Sequence, residues 1–121
     1  MTDAGTVTIF HNPSCSRSRG AMEILEERSV DHRVIEYLRA PPSRATLEMI
    51  VEALIDPVPD LVRTSDKRFV ELGLDPAGYV DAPAIIDLLL EHPELMQRPI
   101  IVRAGRAVIA RPSERVVEVL D

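Results

Sequence analysis

The sequence has little of what secreted, membrane-spanning and nucleic-acid-binding proteins usually carry. Cys15 is its single cysteine, so no disulfide can form within the chain and a secreted disulfide scaffold is excluded. No apolar run approaches the ~20 residues that a membrane span requires, and residues 1–5 lack the basic and apolar regions of a signal peptide. The net charge of −6 disfavours polyanion binding, because lysine and arginine supply most of that affinity. We therefore expect a soluble, cytoplasmic protein with no nucleic acid or membrane partner.

What the sequence does contain is typical of one globular domain. Of its 121 residues, 45% are hydrophobic and 28% are charged, and both fractions are close to globular averages. Domains cluster at roughly 100–150 residues, and a chain of this length buries enough surface to fold without a disulfide or a metal. We predict a single domain over residues 1–121.

Apolar periodicity and turn residues predict the order β-α-β, a helical middle and β-β-α. Strands are expected at residues 7–10, 33–38, 100–102 and 107–109. Helices are expected at residues 16–28, after Ser43, at 65–72, after Asp81 and after Pro112. A parallel βαβ unit, a helical insertion over roughly residues 43–92 and an antiparallel hairpin predict an α/β fold. This is the element order of thioredoxin-like folds, in which helices flank a small mixed sheet.

The single cysteine lies in a polar loop at the start of the first predicted helix. Every residue from Asn12 to Arg19 is polar or charged except Pro13 and Cys15, whereas an inert free cysteine usually sits in an apolar core. A helix N-terminus carries partial positive charge and unpaired N–H groups, which favour the thiolate over the thiol. The same N–H groups bind oxyanions. The pattern therefore predicts a nucleophilic cysteine beside an anion site.

Two neighbours of the cysteine bear on its chemistry. His11 either lowers the pKa of the thiol, through charge or a hydrogen bond, or simply orders the loop. Ser18 stands where a Cys-x-x-Cys motif would have its second cysteine, so a disulfide intermediate must be resolved by a thiol from another molecule. The three histidines and one cysteine show no metal-ligand spacing, so we expect no metal site.

The arginines offer candidates for an anion site. Arg98 precedes Pro99 directly before a predicted strand, where a thioredoxin-like order places a cis-proline loop opposite the cysteine. Arg98 is then expected to point at the thiolate; the alternative is a surface arginine. Taken on composition alone, Arg63 and Arg111 are solvated charges.

The cysteine loop resembles that of a known enzyme family. Glutaredoxin-dependent arsenate reductases have the loop His-Asn-Pro-x-Cys-x-x-Ser-Arg, and this chain has His11-Asn12-Pro13-Ser14-Cys15-Ser16-Arg17-Ser18-Arg19. Further stretches match that family in the same order: Tyr37-Leu38, Pro41-Pro42, Glu71-Leu72-Gly73-Leu74, His92-Pro93, Arg98-Pro99-Ile100 and Arg111-Pro112-Ser113-Glu114. The resemblance covers about residues 7–120.

The resemblance implies a thioredoxin-like fold and a set of residue roles. It implies Cys15 as the nucleophile, His11 as its activator and Ser18 as a hydrogen-bond partner of the thiolate. The oxyanion-binding arginines of the family match Arg63, Arg98 and Arg111. It further implies reduction of arsenate to arsenite, with glutathione as co-substrate, glutaredoxin as partner and no bound cofactor.

Other function classes remain open at this stage. One is a monothiol glutaredoxin-like thiol transferase, although Arg98 places a charge where a glutathione backbone would dock. A second is a member of the same family that acts on another substrate. A third is a non-catalytic regulator that binds a basic protein through the net charge of −6.

Overall fold

The computed structural model describes residues 6–120. Residues 1–5, for which the sequence predicts no signal peptide, lie outside this range, as does residue 121. Within the described part of the chain, no helix is both long enough and apolar enough to cross a membrane.

Four strands form one mixed sheet with the order β2-β1-β3-β4. The strands are β1 (Val7–His11), β2 (His32–Glu36), β3 (Ile100–Arg103) and β4 (Arg106–Ile109). Strand β1 pairs in parallel with β2 and antiparallel with β3, which in turn pairs antiparallel with β4. The predicted mixed sheet, built from a βαβ half and a β-hairpin half, is confirmed.

Helices cover both faces of this sheet. The α-helices are α1 (Ser16–Glu27), α2 (Arg44–Ala53), α3 (Lys67–Glu71) and α4 (Ala82–Glu91). Short 3-10 helices occupy Val58–Leu61, Pro76–Gly78, Pro93–Leu95 and Ser113–Val119. The predicted helix starts at Ser43 and Asp81 are confirmed, because each side chain accepts a hydrogen bond from the backbone of the first turn.

Two apolar cores lie on opposite faces of the sheet, since successive side chains of a strand point to opposite sides. On one face, Val7 and Ile9 pack with α1 and the last 3-10 helix. On the other face, Phe10 packs with α2, α4 and the rest of the insertion. The insertion between β2 and β3 thus covers one face of the sheet and ends directly before β3.

The final helix differs from its prediction. Its apolar pattern predicts a helix with Val116, Val117 and Leu120 facing inward. The structure has a 3-10 helix in which Val116 and Val119 are buried, while Val117 and Leu120 are half-buried. A 3-10 helix has three residues per turn, so residues three apart share a face. Val119 therefore takes the inward position.

Candidate active site

A compact loop after β1 places Cys15 at the N-terminus of α1. Cys15 is the N-cap residue of that helix and has an extended backbone. Its N–H donates to the Asn12 carbonyl oxygen at 3.0 Å, and the Ser14 N–H donates to the Asn12 side-chain oxygen at 2.9 Å. The Asn12 N–H in turn donates to the Ser18 hydroxyl at 3.2 Å. Asn12 therefore organises the turn that presents the thiol to the helix N-terminus.

The surroundings of Cys15 favour its thiolate. The residue is only 8% exposed. Burial raises the pKa of the thiol, but hydrogen bonds from the Ser18 N–H, the Arg98 guanidinium and the Arg17 N–H lower the pKa from 9.0 to about 7. Thiol and thiolate are therefore both well populated near neutral pH. Ser18 contributes through its backbone N–H, while its hydroxyl accepts the Asn12 N–H.

His11, at the end of β1, is buried, and its imidazole does not carry a permanent positive charge. Burial lowers the pKa of His11 below 6.5, and nearby Arg19 lowers it further, although Glu36 acts in the opposite direction. The imidazole is therefore mainly neutral at pH 7. Its Nδ1 has no hydrogen-bond partner among the described residues. This environment disfavours activation of the thiol by a charge on His11, and the groups that lower the pKa of Cys15 are Ser18, Arg98 and Arg17.

The structure brings Arg98 to the cysteine and ties Arg111 to Arg98. The Arg98-Pro99 peptide bond is cis and leads into β3. The Arg98 guanidinium lies close enough to Cys15 to lower the pKa of its thiol. Arg111 follows β4 and donates from Nη1 to the Arg98 carbonyl oxygen at 3.0 Å. Both arginines therefore belong to one end of the β-hairpin half of the sheet.

A short backbone pairing inside the insertion positions Arg63 near Arg98. Val62 and Met96 form an isolated antiparallel bridge. The Arg63 N–H donates to the Leu95 carbonyl oxygen at 2.8 Å, and the Gln97 N–H donates to the Leu61 carbonyl oxygen at 2.7 Å. This pairing holds Arg63 beside the segment that immediately precedes Arg98.

Three guanidinium groups are therefore concentrated at one place. Arg63 is paired with Asp66 at 2.8 Å, yet burial and the charges of Arg98 and Arg111 lower its pKa. Like charges held this close repel each other, and a bound anion relieves that repulsion. Such a cluster, next to the N-terminus of α1, has the charge and the N–H donors that an oxyanion requires.

A polar cleft of about 600 Å³ adjoins the arginine cluster. Arg63 and Arg111 line it, together with Lys67, Asp60 and Gln97. Cys15 is not among the described residues that line it, so the cleft leads to the arginines rather than to the sulfur.

Comparisons with known proteins identify the family that shares this arrangement. The sequence model of the ArsC family matches residues 10–119. The chain is 38% identical over 115 residues to an arsenate reductase of Neisseria meningitidis serogroup A, and the match covers 94% of this chain and 97% of that protein. The chain belongs to the ArsC family.

Other ArsC-family proteins extend the comparison to solved structures. An uncharacterized Escherichia coli protein, YfgD, is 36% identical over 115 residues, covering 94% of this chain and 96% of its own. The structure of an arsenate reductase from Vibrio cholerae matches with a TM-score of 0.84 at 36% identity, covering 95% of this chain and 98% of that one. The predicted thioredoxin-like fold, with its helical insertion, is confirmed.

A close contact fixes the cysteine loop of this ArsC-family protein against the segment that follows Arg111. The Ser113 hydroxyl donates to the Arg17 carbonyl oxygen at 2.7 Å. Gly20 lies in α1 at the same contact, and a Cβ there would come within 2.6 Å of the Ser113 hydroxyl oxygen. A glycine at this helix position therefore lets the first turns of α1 approach the Arg111 segment closely.

Sequence reasoning assigned no role to two residues that shape the site. Asn12 appears in the sequence analysis only as part of the polar loop, whereas its carbonyl oxygen, N–H and side chain all order that loop. Tyr37 was noted only as part of a matching stretch, whereas it is fully buried beside the arginines. The signal for Tyr37 was available, because parallel strands end at the same edge of a sheet and Tyr37 directly follows β2.

A metal centre finds no support in the described part of the chain. Residues 6–120 contain no cluster of three or more His, Cys, Asp or Glu side chains suited to hold an ion.

We expect alkylation of Cys15 by iodoacetamide to depend on pH with a midpoint of about 7 in the folded protein, because only the thiolate reacts. Folding lowers the pKa of the Cys15 thiol from 9.0 to about 7. In the folded protein the reactive thiolate therefore persists between these two pH values and is lost as the pH falls further. The same protein unfolded in guanidinium chloride serves as the control and should show a midpoint near 9.0. Equal midpoints in the two states would contradict this account of the site.

Proposed function

We propose that this ArsC-family protein reduces arsenate to arsenite through a covalent adduct on Cys15. The observation that supports it most is the position of Arg98 beside Cys15, where it lowers the pKa of the thiol, with Arg63 and Arg111 close to Arg98. A nucleophile and an oxyanion site therefore coincide. Relatives named arsenate reductase, from Neisseria meningitidis and Rhizobium meliloti, are 38% and 39% identical to this chain.

The first chemical step is attack of the Cys15 thiolate on the As(V) centre. A sulfur–arsenic bond forms, and one arsenate oxygen leaves as water after it has gained protons. Arg63, Arg98 and Arg111 neutralise the negative charge on the remaining oxygens. Donors that are already in place lower the barrier more than water does, because they need not reorganise.

The second stage requires two electrons, and thiols from outside the chain supply them. Glutathione attacks the adduct, and glutaredoxin contributes the second thiol. As(V) leaves as As(III) in arsenite, Cys15 returns as a thiol, and glutathione and glutaredoxin are joined in a mixed disulfide. The electrons arrive on thiols, so the reaction needs no bound redox cofactor.

A coupled assay tests this proposal. Arsenate-dependent oxidation of NADPH is followed with glutathione, glutaredoxin and glutathione reductase, and Cys15→Ser is the control. We expect turnover with the wild-type protein and none above background with Cys15→Ser.

The same assay separates the proposal from a thiol transferase. In a parallel arm a glutathione mixed disulfide replaces arsenate as the oxidant and glutaredoxin is left out, so that only this protein can act on the disulfide. Turnover of the mixed disulfide, together with no arsenate-dependent turnover, would overturn arsenate reduction in favour of thiol transfer. No turnover with either substrate would point to a family member with a different substrate.

A further inference from the structure

The register of the sheet places Tyr37 at the oxyanion site. In the parallel pair of β1 and β2, His11 lies opposite Glu36, so Tyr37 comes next to Asn12 at the end of these strands. In the antiparallel pair of β1 and β3, Phe10 lies opposite Ile100. Arg98 lies two residues before Ile100, on the β3 side of the cysteine loop, and its charge acts on Tyr37. Tyr37 and Arg98 therefore flank the residue that organises the cysteine loop.

The hydroxyl of Tyr37 is buried without a partner. The side chain is 0% exposed, and its oxygen has no partner with good hydrogen-bond geometry among the described residues. The Asn12 side chain approaches this oxygen and lowers the pKa of Tyr37, so it acts as a donor and leaves the hydroxyl hydrogen without an acceptor. A buried polar group that lacks a partner destabilises the fold, and phenylalanine would fill the same space without that disadvantage. Packing alone therefore gives no reason for a hydroxyl at this position.

The charges around Tyr37 are those of the oxyanion site. Burial raises the pKa of Tyr37, whereas Arg98, Arg63 and a hydrogen bond from the Asn12 side chain lower it, and Cys15 raises it. The net direction is upward, so the phenol keeps its proton at neutral pH and can donate it in a hydrogen bond. Arginine side chains only donate, so none of these arginines can accept the Tyr37 hydroxyl hydrogen.

We propose that the Tyr37 hydroxyl contacts the substrate and donates a hydrogen bond to an oxygen of the oxyanion held beside Cys15. This inference rests on the proposed function. The groups that would surround the anion, namely Tyr37, Arg63, Arg98 and Arg111, all donate hydrogen bonds. Such a set suits an oxyanion such as arsenate, whose unprotonated oxygens accept hydrogen bonds.

The variant Tyr37→Phe removes the hydroxyl and keeps the ring. Tyr79→Phe is the matched control, because it makes the same change at the other tyrosine of the chain. The ring of Tyr79 packs edge-on against that of Phe69, with 5.9 Å between the ring centroids. Two readouts are measured for each protein: the arsenate concentration that halves the rate of Cys15 alkylation, and kcat/KM for arsenate in the coupled assay. The thermal midpoint is recorded as a check on folding.

We expect Tyr37→Phe to raise the half-protecting arsenate concentration and to lower kcat/KM, each by roughly tenfold to a hundredfold. Tyr79→Phe should leave both unchanged. The Tm of Tyr37→Phe should be equal to or above that of the wild type, because an unpaired buried group is lost. A purely structural tyrosine predicts a lower Tm instead. The pH midpoint of alkylation should stay at its wild-type value, because a neutral phenol is removed.

Two results would overturn the inference, and they can be told apart. If arsenate protects Cys15 and turns over equally well in the wild type and Tyr37→Phe, the hydroxyl does not touch the substrate and the proposed function stands. If arsenate neither protects the wild-type protein nor turns over, the proposed function fails and the role of Tyr37 fails with it.

Discussion

Arg98→Ala is expected to reduce kcat/KM for arsenate by about a hundredfold. A hydrogen bond to a charged group contributes about 1.5–3 kcal/mol, and Arg98 is placed to make such bonds to both the thiolate and the oxyanion. The loss acts on two steps, because less thiolate is present and the anion binds more weakly. The alkylation midpoint of Cys15 should rise in parallel, since Arg98 is one of the groups that lower the pKa of the thiol.

Two further variants make the Arg98 result specific. Arg28→Ala removes an exposed arginine at the far end of α1 and should leave kcat/KM within about twofold of the wild type. Arg98→Lys keeps the positive charge but loses the planar fork, so it should recover the alkylation midpoint more fully than it recovers kcat/KM. Equal and small effects of Arg98→Ala and Arg28→Ala on kcat/KM would show that Arg98 does not act at the site.

The parts of this molecule that could be predicted are those encoded by neighbouring residues. Ser43 and Asp81 predict the starts of two helices because a cap is a contact between residues two or three apart. The polar loop before α1 predicts a thiolate at Cys15 for the same reason, since its N–H donors come from the next turn of its own helix.

The gathering of the arginines could not be read from local pattern. Arg63 reaches the site because the backbone of Val62 pairs with that of Met96. A single backbone bridge of this kind produces no alternating pattern of apolar side chains that the sequence could reveal. Composition alone therefore classes Arg63 as a solvated charge. Only the family resemblance indicated its role, and the structure now places it where its charge interacts with Arg98 and Arg111.

The charge state of His11 also depended on tertiary structure. At 8% exposure its pKa is lowered, whereas an exposed histidine would be partly protonated near neutral pH. From the sequence, His11 could therefore either activate the thiol, by charge or a hydrogen bond, or order the loop. Burial, which results from packing at the end of β1, disfavours activation by charge.

The final prediction concerns the second thiol, and its expected effect is complete loss of turnover. Cys15 is the only cysteine of the chain, so an adduct on its sulfur cannot be resolved from within. Without glutathione and glutaredoxin, the wild-type protein should release no arsenite and should stop at the Cys15 adduct. With arsenate and glutathione alone, mass spectrometry should find a glutathione-bearing species on Cys15. Repeated turnover with a non-thiol reductant and no thiol present would contradict the mechanism.

Ser18→Cys should change which reductant the protein uses. Ser18 is fully buried in the first turn of α1, three residues from Cys15, and residues three apart on a helix face each other. Its new thiol can attack the Cys15 sulfur of the adduct, so that arsenite leaves and an internal disulfide forms. Each cysteine gives up one electron, which together reduce As(V) to As(III). Reductants that act on internal disulfides, as thioredoxins do, should then support turnover.

Ser16→Cys is the matched control for this design. It introduces the same thiol one residue from Cys15, at an exposed position, and adjacent helix residues do not face each other. Ser18→Cys also removes the hydroxyl that accepts the Asn12 N–H, so the loop that holds Cys15 should be less well ordered. The rate of arsenate reduction by this variant with glutathione and glutaredoxin should therefore fall. The decisive readout is a loss of two hydrogens from the mass of Ser18→Cys after arsenate treatment without added thiol. If Ser16→Cys shows the same loss, or Ser18→Cys shows none, the first turn of α1 does not place residue 18 against the reacting sulfur.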